Sequence, residues 1–218
     1  MRIGILGGTF NPIHLAHLRI AEEVREVCAL DQILFIPAAL PPHKNVAEDV
    51  PFAHRLAMVE LAVADNRYFR VSDLEGRRTG KSYSVHTLEI LHRENPADEY
   101  FFIVGMDSFR DITSWKEYRR LFELAHIVVA ARPGSPGGDP LGLLPVAIRA
   151  DFCYDCAAKT LQHRCGTSVI FLQETRLDIS STRIRRMVAE GRSIHYLVPA
   201  AVEDYIVRHG FYRGQERL

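Results

Sequence analysis

The sequence predicts an α/β fold: a doubly wound parallel sheet followed by a small C-terminal helical part. Three observations predict it. First, short apolar runs recur at residues 2–6, 32–37, 69–72, 100–104, 127–131 and 169–172. Several are apolar throughout, the pattern of strands covered on both faces. Second, helical periodicity fills the gaps at 14–29, 52–65, 84–95 and 114–124, and in the first of these Leu18, Ala21, Val24 and Cys28 share a face. Strand-helix alternation of this kind gives parallel strands joined by right-handed crossovers, with ligands bound beyond the carboxyl ends of the strands. Third, the pattern changes after residue 172, where two helix candidates follow at 181–190 and 199–209. Gly191 and Gly210 suit helix stops, and Pro199 suits a first helical turn.

The expected organisation is a Rossmann-like core over residues 1–178, with an insertion at about 135–168, then a helical part over 179–218. Residues 133–142 are rich in glycine and proline and read as a loop. A chain of 218 residues buries enough apolar surface to fold without disulfides. Basic and acidic residues number 27 each, which argues against a sequence-independent nucleic-acid binder. No run approaches the ~20 apolar residues of a membrane span, and the apolar start is too short for a signal peptide. Four cysteines are too few for a disulfide scaffold, so a reducing cytoplasm is expected.

The chemistry begins where the first strand ends. Residues 7–17 read Gly-Gly-Thr-Phe-Asn-Pro-Ile-His-Leu-Ala-His. Gly7 and Gly8 allow backbone amides to approach a phosphate without a Cβ in the way. Pro12 leads into a helix starting near His14, and His14 and His17 share its first turn. That end of a helix carries partial positive charge and free N–H donors. Two imidazoles there suit phosphate oxygens whose charge grows in a transition state.

A second anion site is expected at residues 178–185, Asp-Ile-Ser-Ser-Thr-Arg-Ile-Arg, which follows a strand and opens a helix. Ser180 or Ser181 caps it, and the hydroxyls, the free amides and Arg185 converge on an anion. Read without the first site, the same residues describe a capped helix with a solvated basic face.

The first segment resembles the signature of the nucleotidylyltransferase superfamily, and Ser180, Thr182 and Arg185 resemble its second motif, Ser-x-Thr-x-x-Arg. The chain from residue 2 to about 212 is further similar to the bacterial nicotinate-mononucleotide adenylyltransferases. The similarity runs through Pro41-Pro42-His43-Lys44, Gly80-Lys81-Ser82-Tyr83-Ser84, Gly105-Met106-Asp107, Trp115, Ala131-Arg132-Pro133-Gly134 and Val198-Pro199. Asn11 stands where Asp is more usual, Ala16 where Gly is common, and Lys116 where some members carry an aromatic residue.

The resemblance implies adenylyl transfer from ATP to nicotinate mononucleotide, giving deamido-NAD and pyrophosphate. It implies an ATP site made of Gly7, Gly8, Thr9, Phe10, His14, His17, Gly105, Asp107, Arg132, Ser180, Ser181, Thr182 and Arg185. It places Lys44, Tyr83, Ser84 and Trp115 at the acceptor, and His14, His17, Lys44 and Arg185 at the reaction. Mg²⁺ is expected on the ATP phosphates, held by substrate oxygens and water rather than by protein ligands.

Each acceptor residue also has a physical reading and a plainer alternative. Lys44 can meet a phosphate as a point charge, or be a solvated loop lysine. Ser84 opens a helix, so its amide suits a carboxylate, or it is a helix cap. Trp115 can stack on a pyridinium ring, or pack in the core. Cys153, Cys156, His163 and Cys165 include one C-x₂-C pair, but the spacing of His163 and Cys165 is tighter than structural zinc sites use. They read as incidental thiols in an insertion, which can also form a subunit contact in a homo-oligomer.

The competing functions are adenylyl transfer to nicotinamide mononucleotide or phosphopantetheine, a silent ATP sensor, and a fragment of a class I aminoacyl-tRNA synthetase. An amide acceptor needs no carboxylate site at Ser84, and phosphopantetheine enzymes are typically shorter and lack the Trp115 segment. Both histidines and the second motif argue against a silent binder. Length, neutral charge and the lack of an anticodon-binding region argue against the synthetase fragment.

Overall fold

The computed structural model describes residues 1–42, 50–131, 140–156, 160–173 and 177–213. Within them lie strands β1 (Arg2–Gly8), β2 (Gln32–Pro37), β3 (Phe69–Val71), β4 (Glu99–Gly105), β5 (His126–Ala131), β6 (Phe152–Asp155), β7 (Thr160–His163) and β8 (Ser168–Gln173). The helices are α1 (Leu15–Val27), α2 (Phe52–Val63), α3 (Ser84–Glu94), α4 (Met106–Arg110), α5 (Tyr118–Leu124), α6 (Ser181–Ala189) and α7 (Ala200–His209).

The described strands form an eight-stranded sheet in the order β3-β2-β1-β4-β5-β8-β7-β6. From β3 to β8 every neighbour pair is parallel. The chain builds outward from β1 through β2 to β3, then returns to place β4 on the other side of β1. That reversal opens a crevice at the carboxyl ends of β1 and β4.

The six expected strands are present. The insertion adds a feature the sequence reading missed: β6 and β7 form an antiparallel hairpin that extends the sheet past β8. Its strands are four residues each; β6 is exposed at Cys153 and Tyr154, and β7 alternates half-buried with buried residues, so neither carries a continuous apolar run. The expected helix at 114–124 is also corrected. It is a 3-10 turn (Ile112–Ser114) and then α5, separated because Glu117 sits in the left-handed region at φ 49°.

The pleat distributes the strands' side chains between two cores. Ile3 and Ile5 of β1, Phe102 and Val104 of β4, and Ile127 and Val129 of β5 pack with Val85 and Leu88 of α3 and Leu121 and Phe122 of α5. Leu6, Phe101, Ile103 and Val128 point the other way, onto Ala21 and Val24 of α1, Met58 and Val59 of α2, Ile184 of α6, and Val202 and Ile206 of α7. Helices cover both faces, which is why the strands are apolar on both. Each fully buried Ile or Phe contributes roughly 1.5–3 kcal/mol. The C-terminal helices therefore share the core of α1 and α2, and this carries residues 180–185 to the phosphate loop. Among the described residues no helix is long and apolar enough to cross a membrane.

Candidate active site

Helix N-termini and strand ends meet at the crevice. β1 delivers Gly7 and Gly8, β4 delivers Gly105, and a cavity of about 430 Å³ runs between them, lined also by Thr9, His17, Tyr83, Ser84 and Trp115. A Cβ on Gly8 would stand 3.2 Å from the Phe10 ring, so the bare backbone there allows close approach. Phe10 itself is buried and meets the His17 ring edge-on at 5.1 Å. Its side chain supports the site from beneath.

His14 is the residue before α1, in extended conformation. Its backbone amide donates to Nδ1 of His17 at 3.2 Å, and the two rings stack with centroids 3.6 Å apart. Because Nδ1 of His17 accepts, a neutral His17 carries its proton on Nε2. Burial pushes the His14 imidazole down to about 4. His14 is therefore neutral at pH 7. Its Nδ1 is buried with no hydrogen-bond partner among the described residues. Ala16, where Gly is common in the family, is buried in the same turn.

α6 is tied directly to this loop. Ser180 caps it, accepting from the Arg183 amide at 3.2 Å. Ser181 Oγ donates to the Pro12 carbonyl at 2.8 Å. Arg185 Nη1 donates to the Asn11 carbonyl at 2.8 Å, and its Nη2 to Thr182 Oγ1 at 3.3 Å. The two predicted phosphate segments thus form one surface, with α1 and α6 both presenting their positive ends.

At the other end of the cavity, α3 begins at Ser84. Ser82 Oγ accepts from the amides of Ala39 and Leu40 at 3.0 and 3.1 Å, joining the loop after β2 to the start of α3. Trp115 is half buried, packed edge-on against Phe102 at 6.3 Å, and still lines the cavity. The indole therefore packs on the core while keeping a surface toward the cavity.

Asp107 stands apart from this lining. It is exposed on α4, 3.7 Å from Arg110, while Ser108 beside it does line the cavity. Lys44 and Arg132 lie outside the described residues. Of the charged residues in the lining, Glu75 was not singled out in the sequence and Lys116 only as a departure from the family pattern. Glu75 is buried, its Oε1 accepting from Thr87 Oγ1 at 2.7 Å and its Oε2 without a partner among the described residues. In the charged run from Asp73 to Arg78 nothing marks it as different from a solvated acid.

The insertion's cysteines are separated. Cys153, Cys156 and Cys165 are exposed, whereas His163 is buried against Phe152, with ring centroids 4.8 Å apart. Among the described residues no group of three or more His, Cys, Asp and Glu side chains is arranged to hold a metal ion.

The cytidylyltransferase-like family model matches residues 5–187. A probable nicotinate-nucleotide adenylyltransferase of Syntrophotalea carbinolica is 67% identical over 217 residues, 100% of either chain. Its counterpart in Geobacter sulfurreducens is 59% identical over 212 residues, 97% of this chain and 98% of that one. The solved Plasmodium falciparum nicotinic acid mononucleotide adenylyltransferase complexed with NaAD aligns with a TM-score of 0.74 at 19% identity, covering 97% of both chains. That last likeness is one of fold.

Proposed function

The chain belongs to the cytidylyltransferase-like family and, within it, to the nicotinate-nucleotide adenylyltransferases, and from that premise we propose that it joins the adenylyl group of ATP to nicotinate mononucleotide. The products are deamido-NAD and pyrophosphate. The observation that carries this reading is the cavity between the β1 and β4 ends. It connects the His17 end, braced by α6, with the Ser84 and Trp115 end.

An oxygen of the acceptor's phosphate attacks the α-phosphorus of ATP in line. The bond from that phosphorus to the bridging oxygen breaks, and pyrophosphate leaves. The attacking phosphate is already ionised at neutral pH, so no side chain has to remove a proton. The protein's work is positioning and charge stabilisation. Nε2–H of His17 and the amide of Thr9 suit the developing charge on the phosphates. Ser180, Thr182 and Arg185 suit the leaving pyrophosphate, and Lys44 the acceptor phosphate. The Ser84 amide suits the nicotinate carboxylate, and Trp115 and Tyr83 suit the ring.

ATP is taken as its Mg²⁺ complex. The donors at the phosphate end are imidazoles, hydroxyls, amides and a guanidinium, and these leave the ion to the phosphate oxygens and water, as a hard cation prefers. The ion neutralises part of the triphosphate charge. The four free thiols suit a reducing cytoplasm as the site of action.

The test is pyrophosphate release with ATP and Mg²⁺, comparing nicotinate mononucleotide, nicotinamide mononucleotide and phosphopantetheine. Fast release with the first is expected. No release with any acceptor would favour a silent ATP binder, and faster release with the amide or with phosphopantetheine would reassign the acceptor.

A further inference from the structure

Beside Trp115, a lysine lines the acceptor end of the cavity, with its ammonium against the Tyr83 ring. Lys116 lines that cavity with Tyr83 and Ser84. Its Nζ lies 3.0 Å from Nε2 of His86, on the first turn of α3, and 5.0 Å from the centre of the Tyr83 ring. Nδ1 of His86 lies 3.3 Å from Oε2 of Glu89. An ammonium only donates, so Nε2 of His86 accepts and the imidazole proton sits on Nδ1, facing the Glu89 carboxylate. Glu89, His86 and Lys116 thus form a chain that holds the ammonium over Tyr83 and beside the start of α3. Glu117 Oε1 is 3.8 Å from Nζ, too far for a hydrogen bond. His86 therefore occupies one N–H of the ammonium, leaving donors for a ligand.

A carboxylate placed there meets the first amides of α3, the positive end of the helix and a full positive charge. The helix amides alone discriminate poorly, because the carbonyl of a carboxamide also accepts from them. The ammonium separates the two groups. A carboxylate gains an ion pair, whereas a carboxamide gains none and turns its own NH₂ donors toward an ammonium.

We propose that Lys116 is a specificity-determining residue, which selects an acceptor bearing a ring carboxylate over the corresponding neutral amide. The inference rests on the acceptor reading given above. The lysine is partly exposed and Glu117 offsets some of its charge, so the effect is about tenfold rather than thousands of fold.

The experiment measures kcat and KM for nicotinate mononucleotide and nicotinamide mononucleotide at saturating Mg²⁺-ATP. The full chain is compared with Lys116→Met and Lys116→Arg. Methionine keeps an apolar stem over Tyr83 and removes the charge. It is expected to lower the acid-to-amide ratio of kcat/KM about tenfold, mainly by raising KM for the acid. Arginine keeps the charge and is expected to hold the ratio within about threefold of the wild type. An unchanged ratio in Lys116→Met, or an equal loss with both acceptors, assigns the residue to packing and overturns the proposal. A wild type that uses neither mononucleotide overturns the acceptor reading, and this inference with it.

Discussion

The guanidinium of Arg185 and the backbone carbonyl of Asn11 are 2.8 Å apart although 174 residues separate them in sequence. This bond and the one from Ser181 to Pro12 fasten the start of α6 to the apex of the loop after β1. The same arginine reaches Thr182 Oγ1 with its other terminal nitrogen. A planar fork can hold a carbonyl, a hydroxyl and an incoming phosphate together.

Replacing Arg185 should therefore affect ATP more than the acceptor. Arg185→Ala is expected to raise the ATP KM by roughly tenfold or more, the scale of a charge-assisted phosphate contact. Arg185→Lys should restore only part of this, because a point charge cannot keep both intramolecular bonds. Steady-state kinetics with ATP varied would decide it; an unchanged ATP KM in the alanine variant removes the residue from the ATP site.

Tyr212 braces the same loop from the far end of the chain. Its hydroxyl donates to Oδ1 of Asn11 at 2.5 Å. Asn11 is buried, and its Nδ2 has no partner among the described residues. Tyr212→Phe would leave the amide oxygen unsatisfied as well. The expected cost is about 1–3 kcal/mol, read from the urea unfolding midpoint. A midpoint equal to that of the wild type would mean that Asn11 has found another donor.

What the sequence disclosed follows burial. The strands on which helices pack from both sides carry unbroken apolar runs, and all of them were legible. The glycines that end β1 and the histidine pair were legible because a strand exit and a helix start impose their own residue types. The β6–β7 hairpin was not, because Cys153 and Tyr154 are exposed and each strand is only four residues long, too short to leave a readable period. Lys116 was noticed only as a departure from the family. Its partner His86 comes from a helix 30 residues earlier, and the break between Lys116 and α5 is a single left-handed residue, Glu117. Glu75 was invisible for the opposite reason: its burial comes from the fold around it, and its neighbours in sequence are charged.

His17 lines the cavity, whereas His14 is buried behind it. The amide of His14 fixes the tautomer of His17, so the outer ring presents a preoriented N–H. His17→Ala is expected to lower kcat by roughly 10²-fold or more, the scale for losing a preorganised donor. Turnover at the wild-type rate, measured with both substrates saturating, would remove the residue from the chemistry.

His14 also predicts how stability responds to acid. Its ordinary value of 6.5 falls to about 4 in the folded protein because burial disfavours the charged ring. Between those two values the unfolded chain binds a proton that the native state does not. Stability therefore falls as pH drops from 6.5 toward 4, and below that the contribution of His14 is fully lost. The difference corresponds to about 3 kcal/mol. His126 and His163, also pushed down by burial, act in the same direction, as does Glu22, which Arg25 holds below the usual carboxylate range. The comparison has to isolate His14 from them. Urea midpoints at pH 7 and pH 4.5 should converge more closely in His14→Gln than in the wild type, because glutamine has no proton to bind. An identical acid loss in the two proteins would mean that the buried imidazole is not its source.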